Sequence, residues 1–203
     1  MKTFISIFCL ISFIGSVHIT NAQEAEVFPS DYKKRNALYD YTEKQLNNVD
    51  TIPGFNSKLN KIKISGTIYQ SDGKTPAKDV ILYVYQPDEN GDYDMRRDEH
   101  RKRYVHNRGW VKTDSDGHYT LYTYIPGKFT RKELKQIHRV VKEPGKPEYK
   151  INSFFFNDDP LLPSLTLACR AKAVSGLLRL EKKDNLYVAT KDIRLHKDYR
   201  QVQ

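Results

Sequence analysis

The fold is decided by the stretch Ile62-Lys63-Ile64-Ser65-Gly66-Thr67-Ile68-Tyr69, by the turn Asp72-Gly73 and by the run Val80-Ile81-Leu82-Tyr83-Val84-Tyr85. In the first run, β-branched and aromatic residues recur at every second position over much of its length. This is the period of a strand with one buried face. An Asp-Gly pair between two such runs is typical of a tight turn. The stretch therefore predicts two strands that are close neighbours in the chain.

The same succession of strand-like runs and turns continues toward the end of the chain. Further β-branched or aromatic runs lie at residues 109–113, 118–124, 137–141, 151–156, 174–180 and 186–193. No long helical pattern interrupts them, and a second Asp-Gly turn, Asp116-Gly117, lies between two of the runs. Short strands at this spacing predict an all-β protein, either a sandwich or a barrel.

The region before these runs has a different composition. Residues 30–48 have helix-compatible composition, with Leu38, Tyr41 and Gln45 at helical spacing, so we expect a short N-terminal helix or a tied-down arm. Residues 48–56 contain Pro53-Gly54 and are interpreted as a linker.

Size and composition favour one folded core. The chain has 203 residues, of which 38% are hydrophobic and 12% aromatic, which excludes collagen-like and low-complexity chains. Trp110, the only tryptophan, begins one of the predicted strands, so we expect it in the core. No apolar run reaches the roughly 18 to 20 residues that a membrane-spanning helix needs, so an integral membrane protein is not expected.

The first 22 residues have the pattern of a signal peptide. Lys2 supplies a positive start, residues 4–17 are apolar, and Thr20-Asn21-Ala22 offers small residues at the cleavage positions. An uncleaved anchor or a buried strand is the alternative. We expect removal of residues 1–22 and a secreted or periplasmic protein. Cleavage also removes Cys9 and leaves Cys169 alone, so no disulfide scaffold is expected.

Intact-mass measurement of the exported protein tests this expectation. We predict a mature chain that begins at Gln23, because Ala22 is the last small residue of the cleavage pattern. Retention of residues 4–17 in the exported protein would contradict it.

The positive charge of the chain is not concentrated in a nucleic-acid motif. Formal net charge is +9, or +8 once Lys2 is removed. The densest basic run, within residues 94–107, interleaves its arginines with Asp98, Glu99 and His100 and carries only Tyr104 for base stacking. We therefore interpret it as a solvated loop, with an anion or polysaccharide contact as the alternative, and expect no nucleic-acid partner.

Several segments follow one another in a fixed order over roughly residues 58–197: 64–68 with 72–76, 84–93, 108–117, 122–127, 136–138 and 154–160. In their order and in the gaps between them, these segments resemble the intradiol ring-cleavage dioxygenases of the catechol and protocatechuate type. The resemblance implies a β-sandwich of two mixed sheets. The chain then divides into a signal peptide (1–22), a helical arm and linker (23–57), the sandwich domain (58–197) and a tail (198–203).

The resemblance also implies an iron site. Members of this family hold Fe(III) with two tyrosinates and two histidines, and insert O2 between the two hydroxylated carbons of a catechol-like substrate. Carried over residue by residue, the positions are Tyr93, Phe129, Gln136 and His138, so two of the four ligands are replaced. Phenylalanine cannot bind a metal and an amide is a weak ligand. The resemblance therefore implies Fe(III) that is weakly bound or absent.

Three hypotheses follow. The first is an active intradiol dioxygenase with an altered iron site. The second is an inactive relative that binds an aromatic molecule, a sugar or a protein through the former active-site end of the sandwich. The third is a purely structural secreted domain.

Taken alone, Tyr93 is also compatible with a rim tyrosine, and His138 with an ordinary half-buried histidine. A homodimer through residues 30–48 is expected by analogy only, and no rival catalytic motif is present.

Overall fold

The alternation of side chains along each strand produces two sheets that share one core. The structure, a computed structural model, describes residues 29–41 and 45–197. The predicted signal peptide (1–22) and the tail (198–203) lie outside the described residues. In the long second strand, Ile62, Ile64 and Ile68 are fully buried while their neighbours are only half-buried. The predicted period of two is therefore observed.

The elements follow one another in this order. The strands are β1 (Val49–Thr51), β2 (Lys61–Tyr69), β3 (Ile81–Tyr85), β4 (Met95–Arg97), β5 (Arg103–Val105), β6 (Arg108–Lys112), β7 (His118–Tyr124), β8 (Gln136–Lys142), β9 (Tyr149–Phe156), β10 (Leu177–Leu178), β11 (Glu181–Lys183), β12 (Leu186–Thr190) and β13 (Ile193–Arg194). The helix α1 spans Leu167–Gly176, and single 3-10 turns lie at Ala37–Tyr39, Phe55–Ser57 and Leu162–Ser164.

Two mixed sheets face each other. One has the order β1-β7-β2-β12-β11, with β13 also paired to β2, and the other has the order β10-β9-β8-β3-β6. Parallel pairs such as β1 with β7 and β9 with β10 occur beside antiparallel ones. The largest apolar cluster lies between the sheets and includes Leu82, Leu121, Ile137 and Phe154. The β-sandwich of two mixed sheets is confirmed.

The arm before β1 covers the outer face of the second sheet. Leu38 and Tyr39 are buried against Tyr83, Trp110 and their neighbours in a second apolar cluster. The indole N–H of Trp110 donates to the carbonyl of Leu38 at 2.8 Å. Trp110 is buried as expected, although it lies beneath the arm and outside the layer between the sheets. The arm is tied down, and its helical part in the described residues is the single 3-10 turn.

Three interpretations of local structure are wrong. The 48–56 linker contains β1, which is only three residues long and carries no strand pattern of its own. The expected strand at 174–180 is reduced to β10 (Leu177–Leu178), because residues 174–176 belong to the end of α1. This helix buries only Ala173 and Gly176 and so lacks an apolar stripe. Residues 94–107 form the hairpin of β4 and β5 instead of a solvated loop, and Lys102 within it is 6% exposed.

No helix in residues 29–41 and 45–197 is long and apolar enough to cross a membrane.

Candidate functional site at the aromatic end of the second sheet

A glycine contact positions the turn that carries Tyr93. The Asp88 carboxylate accepts the backbone N–H groups of Asn90 and Asp92 at 2.8 and 3.0 Å, which closes the turn. Gly91 has φ +100° and packs so tightly that a Cβ there would overlap the Lys128 carbonyl. The N–H of Gly127 donates to the Asp88 carbonyl at 2.8 Å. The segment leading to Phe129 and the turn leading to Tyr93 are thus held together through their backbones.

Asp159 anchors the segment on both sides of Phe129. Its side chain is fully buried and accepts two hydrogen bonds, from the Lys128 ammonium at 2.8 Å and from the Lys135 N–H at 2.8 Å. Burial alone would raise the pKa of Asp159, but hydrogen bonds from Lys128 and from the Leu161 and Lys135 N–H groups lower it below its usual value. Asp159 therefore acts as a buried, charged clamp.

A bulge in β9 shapes the surroundings of His138. Ile137 pairs with Phe154 and Arg139 pairs with Ile151, so two residues of β9 oppose His138. One of them, Ser153, places its hydroxyl 3.5 Å from His138 Nδ1. Arg139 donates through Nε to the Asn152 carbonyl at 2.6 Å and so satisfies the bulged backbone. On the other side Tyr85 stacks on the imidazole, with ring centroids 4.6 Å apart.

Tyr93 and His138 form a direct hydrogen bond. The Tyr93 hydroxyl lies 2.6 Å from His138 Nε2. Burial, then the nearby Tyr85 and Glu133, raise the pKa of Tyr93 to about 12. Burial, then the Lys150 charge, lower the pKa of His138 to about 4. Both groups are therefore neutral near pH 7, so the phenol donates to Nε2 and the imidazole proton is on Nδ1, toward Ser153.

Phe129 and Gln136 complete the predicted group of four. The Phe129 ring meets Tyr93 edge to face at a centroid distance of 5.2 Å, and its side chain is 56% exposed. Gln136 lies two residues before His138 in β8, with the buried Ile137 between them, so both side chains leave the sheet on its outer face. The structure thus brings Tyr93, Phe129 and His138 together and places Gln136 on the same face.

Two features of the site were missed from the sequence. Tyr85 gives no signal of its own, because it reads as one more aromatic residue in a strand. Ser153 lies beside His138 because of the β9 bulge, and no pattern in the sequence predicts this bulge. Ser153 also lines a cleft of about 350 Å³ between β9 and α1, together with Phe155 and Lys172.

Another cluster has the spacing of a metal site but a different role. Among the described residues, Asp114, Asp116 and His118 form the group of acidic and histidine ligand atoms close enough to share an ion. Asp114 Oδ1 already accepts the N–H groups of Asp116 and His118, at 3.0 and 2.9 Å. The cluster caps the turn between β6 and β7 and contributes nothing to the Tyr93–His138 site.

Solved structures similar to this chain include intradiol dioxygenases. The dioxygenase domain of a dioxygenase carbohydrate-binding protein fusion from Streptomyces sp. SirexAA-E has a TM-score of 0.60 at 21% identity, over 75% of this chain and 90% of that chain. The 3-chlorocatechol 1,2-dioxygenase of Rhodococcus opacus has a TM-score of 0.57 at 17% identity, over 76% and 68%. An intradiol ring-cleavage dioxygenase from Tetranychus urticae has a TM-score of 0.56 at 14% identity, over 75% and 86%.

The fold is therefore that of the intradiol dioxygenases, as the sequence resemblance implied. No protein-family model and no curated protein matches the sequence. At these identities the likeness establishes the fold, and the chemistry depends on the residues of this chain.

A pair of glycine substitutions tests how the site is held. Gly91→Ala should destabilise the protein by more than about 2 kcal/mol, because the new methyl meets the Lys128 carbonyl as well as an unfavourable positive φ. Gly145→Ala is the matched control, since it has φ +69° with nothing within 4 Å and should cost only about 1 kcal/mol. Urea unfolding measures both values. Equal losses would show that the Gly91 contact does not constrain the site.

Proposed function

We propose that this protein is an exported binding protein with the intradiol dioxygenase fold, which binds a catechol-like aromatic molecule without ferric ring cleavage. One observation carries the proposal: the phenol of Tyr93 and the imidazole of His138 satisfy each other, at 2.6 Å. Tyr93 and His138 stand at the two positions where the family resemblance implies that an iron ligand is retained. Phe129 and Gln136 stand at the other two positions.

The donor set does not fit a ferric site of the family type. Fe(III) is stabilised by hard anionic ligands, and Tyr93 is the single candidate for one in this group. Burial, and then the nearby Tyr85 and Glu133, disfavour its ionisation and so raise the pKa of Tyr93. Phe129 offers no donor atom, and Gln136 offers only a neutral amide oxygen. Two good ligands do not hold the geometry that four provide.

The same residues suit an aromatic ligand. Tyr85, Tyr93, Phe129 and His138 form a continuous group of rings, from the stacked Tyr85–His138 pair to the exposed Phe129 edge. Aromatic rings in such arrangements attract a further ring by offset stacking or edge contact. The hydroxyls of Tyr93 and Ser153 supply hydrogen-bond partners for phenolic oxygens. The cleft beside Ser153 gives room for a substituent on the ring.

Active ring cleavage is the second candidate. It is favoured by the close approach of Tyr93 and His138, which places both retained ligand types where one ion would need them. Iron content separates the two candidates.

Iron reconstitution of four proteins provides the first test. Wild type, Phe129→Tyr, Gln136→His and the double variant are loaded with Fe(III) under identical conditions. We expect wild type to hold substoichiometric iron, with no visible tyrosinate-to-iron band and little or no catechol cleavage. The double variant should hold the most iron and show the band, because it regains one phenol and one imidazole.

The control places the same donors elsewhere. Phe55→Tyr with Gln70→His adds one phenol and one imidazole outside the site, and should leave iron content at the wild-type value. Full iron occupancy and catechol cleavage in wild type would overturn the proposal in favour of an active dioxygenase.

Calorimetry with catechol under argon provides the second test. Phe129→Ala should weaken binding about twofold to tenfold, the range expected for one lost aromatic contact. Leu167→Ala is the control, because Leu167 is 84% exposed on α1 and lines no part of the cleft. Absence of measurable binding by wild type, or an equal loss in both variants, would contradict an aromatic-binding site here.

A further inference from the structure

A cationic hairpin follows the Tyr93 site directly and has a role of its own. The β4–β5 hairpin begins two residues after Tyr93. Its inner side is fixed to the arm and the sheet: the Lys102 ammonium lies 2.8 Å from Asp40, and the Tyr32 hydroxyl donates to Asp98. The Arg108 guanidinium covers the Tyr104 ring at 3.9 Å. The hairpin is therefore a docked, shaped surface and not a freely moving charged loop.

Its outer side carries arginines that repel each other. Arg97 lies directly opposite Arg103 in the two-stranded ladder, and both are exposed. Like charges in directly opposed positions destabilise a pair of strands. Arg101 adds a third exposed guanidinium at the turn, where its φ is +63°. The docked hairpin thus holds two guanidinium groups opposite each other and a third at its turn, although the opposed like charges destabilise it.

Nearby carboxylates in the described residues are engaged with other groups. Asp94 pairs with Arg96 at 2.8 Å, Asp98 accepts the Tyr32 hydroxyl, and Glu99 lies 3.4 Å from His100. Within residues 29–41 and 45–197, no carboxylate lies within ion-pair distance of Arg97, Arg101 or Arg103. The outer side of the hairpin therefore presents three arginines to external anions.

We propose that this outer side, formed by Arg97, Arg101 and Arg103, binds an acidic polysaccharide through its sulfate or carboxylate groups. The planar guanidinium fork matches both kinds of oxyanion. A single exposed ion pair contributes little, so useful affinity requires several anionic groups on one chain.

The other residues of the outer side disfavour two other anionic partners, single-stranded nucleic acid and an anionic membrane surface. Met95 and Val105 are its remaining side chains, and the ring of Tyr104 lies on the inner side beneath Arg108. Single-stranded nucleic acid requires aromatic side chains on which bases stack, and this face has none. Apolar side chains strengthen binding to an anionic membrane surface, and Met95 at 44% exposure is the largest one on this face.

Retention on immobilised heparin tests the proposal on the intact protein, with soluble polygalacturonate as the carboxylated competitor and dextran as the neutral one. We expect Arg97→Gln with Arg103→Gln to reduce heparin affinity about tenfold at 0.15 M salt. The slope of log affinity against log salt should fall by about two, because two ion contacts are lost. Circular dichroism and a thermal melt confirm that the variant is folded.

The matched control removes the same charge elsewhere. Lys182→Gln with Lys183→Gln deletes two exposed cations from β11, an edge strand of the other sheet, and should shift elution only slightly. Equal shifts in both double variants would overturn the proposal, since net charge alone would explain the retention. No retention of wild type, or tighter binding to single-stranded DNA or to anionic vesicles than to heparin, would also overturn it. Neither catechol binding nor iron content bears on this result.

Discussion

The hydrogen bond between the Tyr93 hydroxyl and His138 Nε2 is the central contact at this end of the sandwich, and the surrounding residues hold its two partners in place. Tyr93 reaches His138 because Gly91 lets its turn pack on the Lys128 carbonyl. His138 is held between Tyr85 of β3 and the bulge of β9. Asp159 fixes the connecting segment by accepting hydrogen bonds from Lys128 and Lys135. The Gly91 contact and the bulge are backbone constraints and Asp159 is a buried charge, so most of the site is built by the fold itself.

The fold of this chain does not by itself fix its chemistry. The fold is that of the intradiol dioxygenases, whereas the sequence resemblance implies that Phe129 and Gln136 stand at two of the four positions for iron ligands. The residues around a metal site orient its ligands through hydrogen bonds and packing, so they belong to the fold as well as to the chemistry. The consequence is a preformed, partly aromatic site in which the Tyr93 oxygen, although its proton is donated to His138, can still accept a hydrogen bond from a small molecule.

The sequence predicted the strands well because their burial alternates: Ile62, Ile64 and Ile68 identify β2 without any tertiary information. It predicted α1 poorly because this helix buries only small residues and exposes Leu167 and Val174. The approach of Tyr93 to His138 followed from family resemblance and not from periodicity. The β9 bulge, the stack with Tyr85 and the burial of Lys102 against Asp40 depend on contacts distant in sequence, which no local pattern encodes.

One measurement tests the central claim most directly: a crystal of protein purified with added iron, with diffraction data collected on both sides of the iron absorption edge. We expect no anomalous peak between Tyr93 Oη and His138 Nε2, and a hydrogen bond joining these two atoms. A fully occupied iron peak bound to both residues, with further ligands completing its coordination, would contradict the claim.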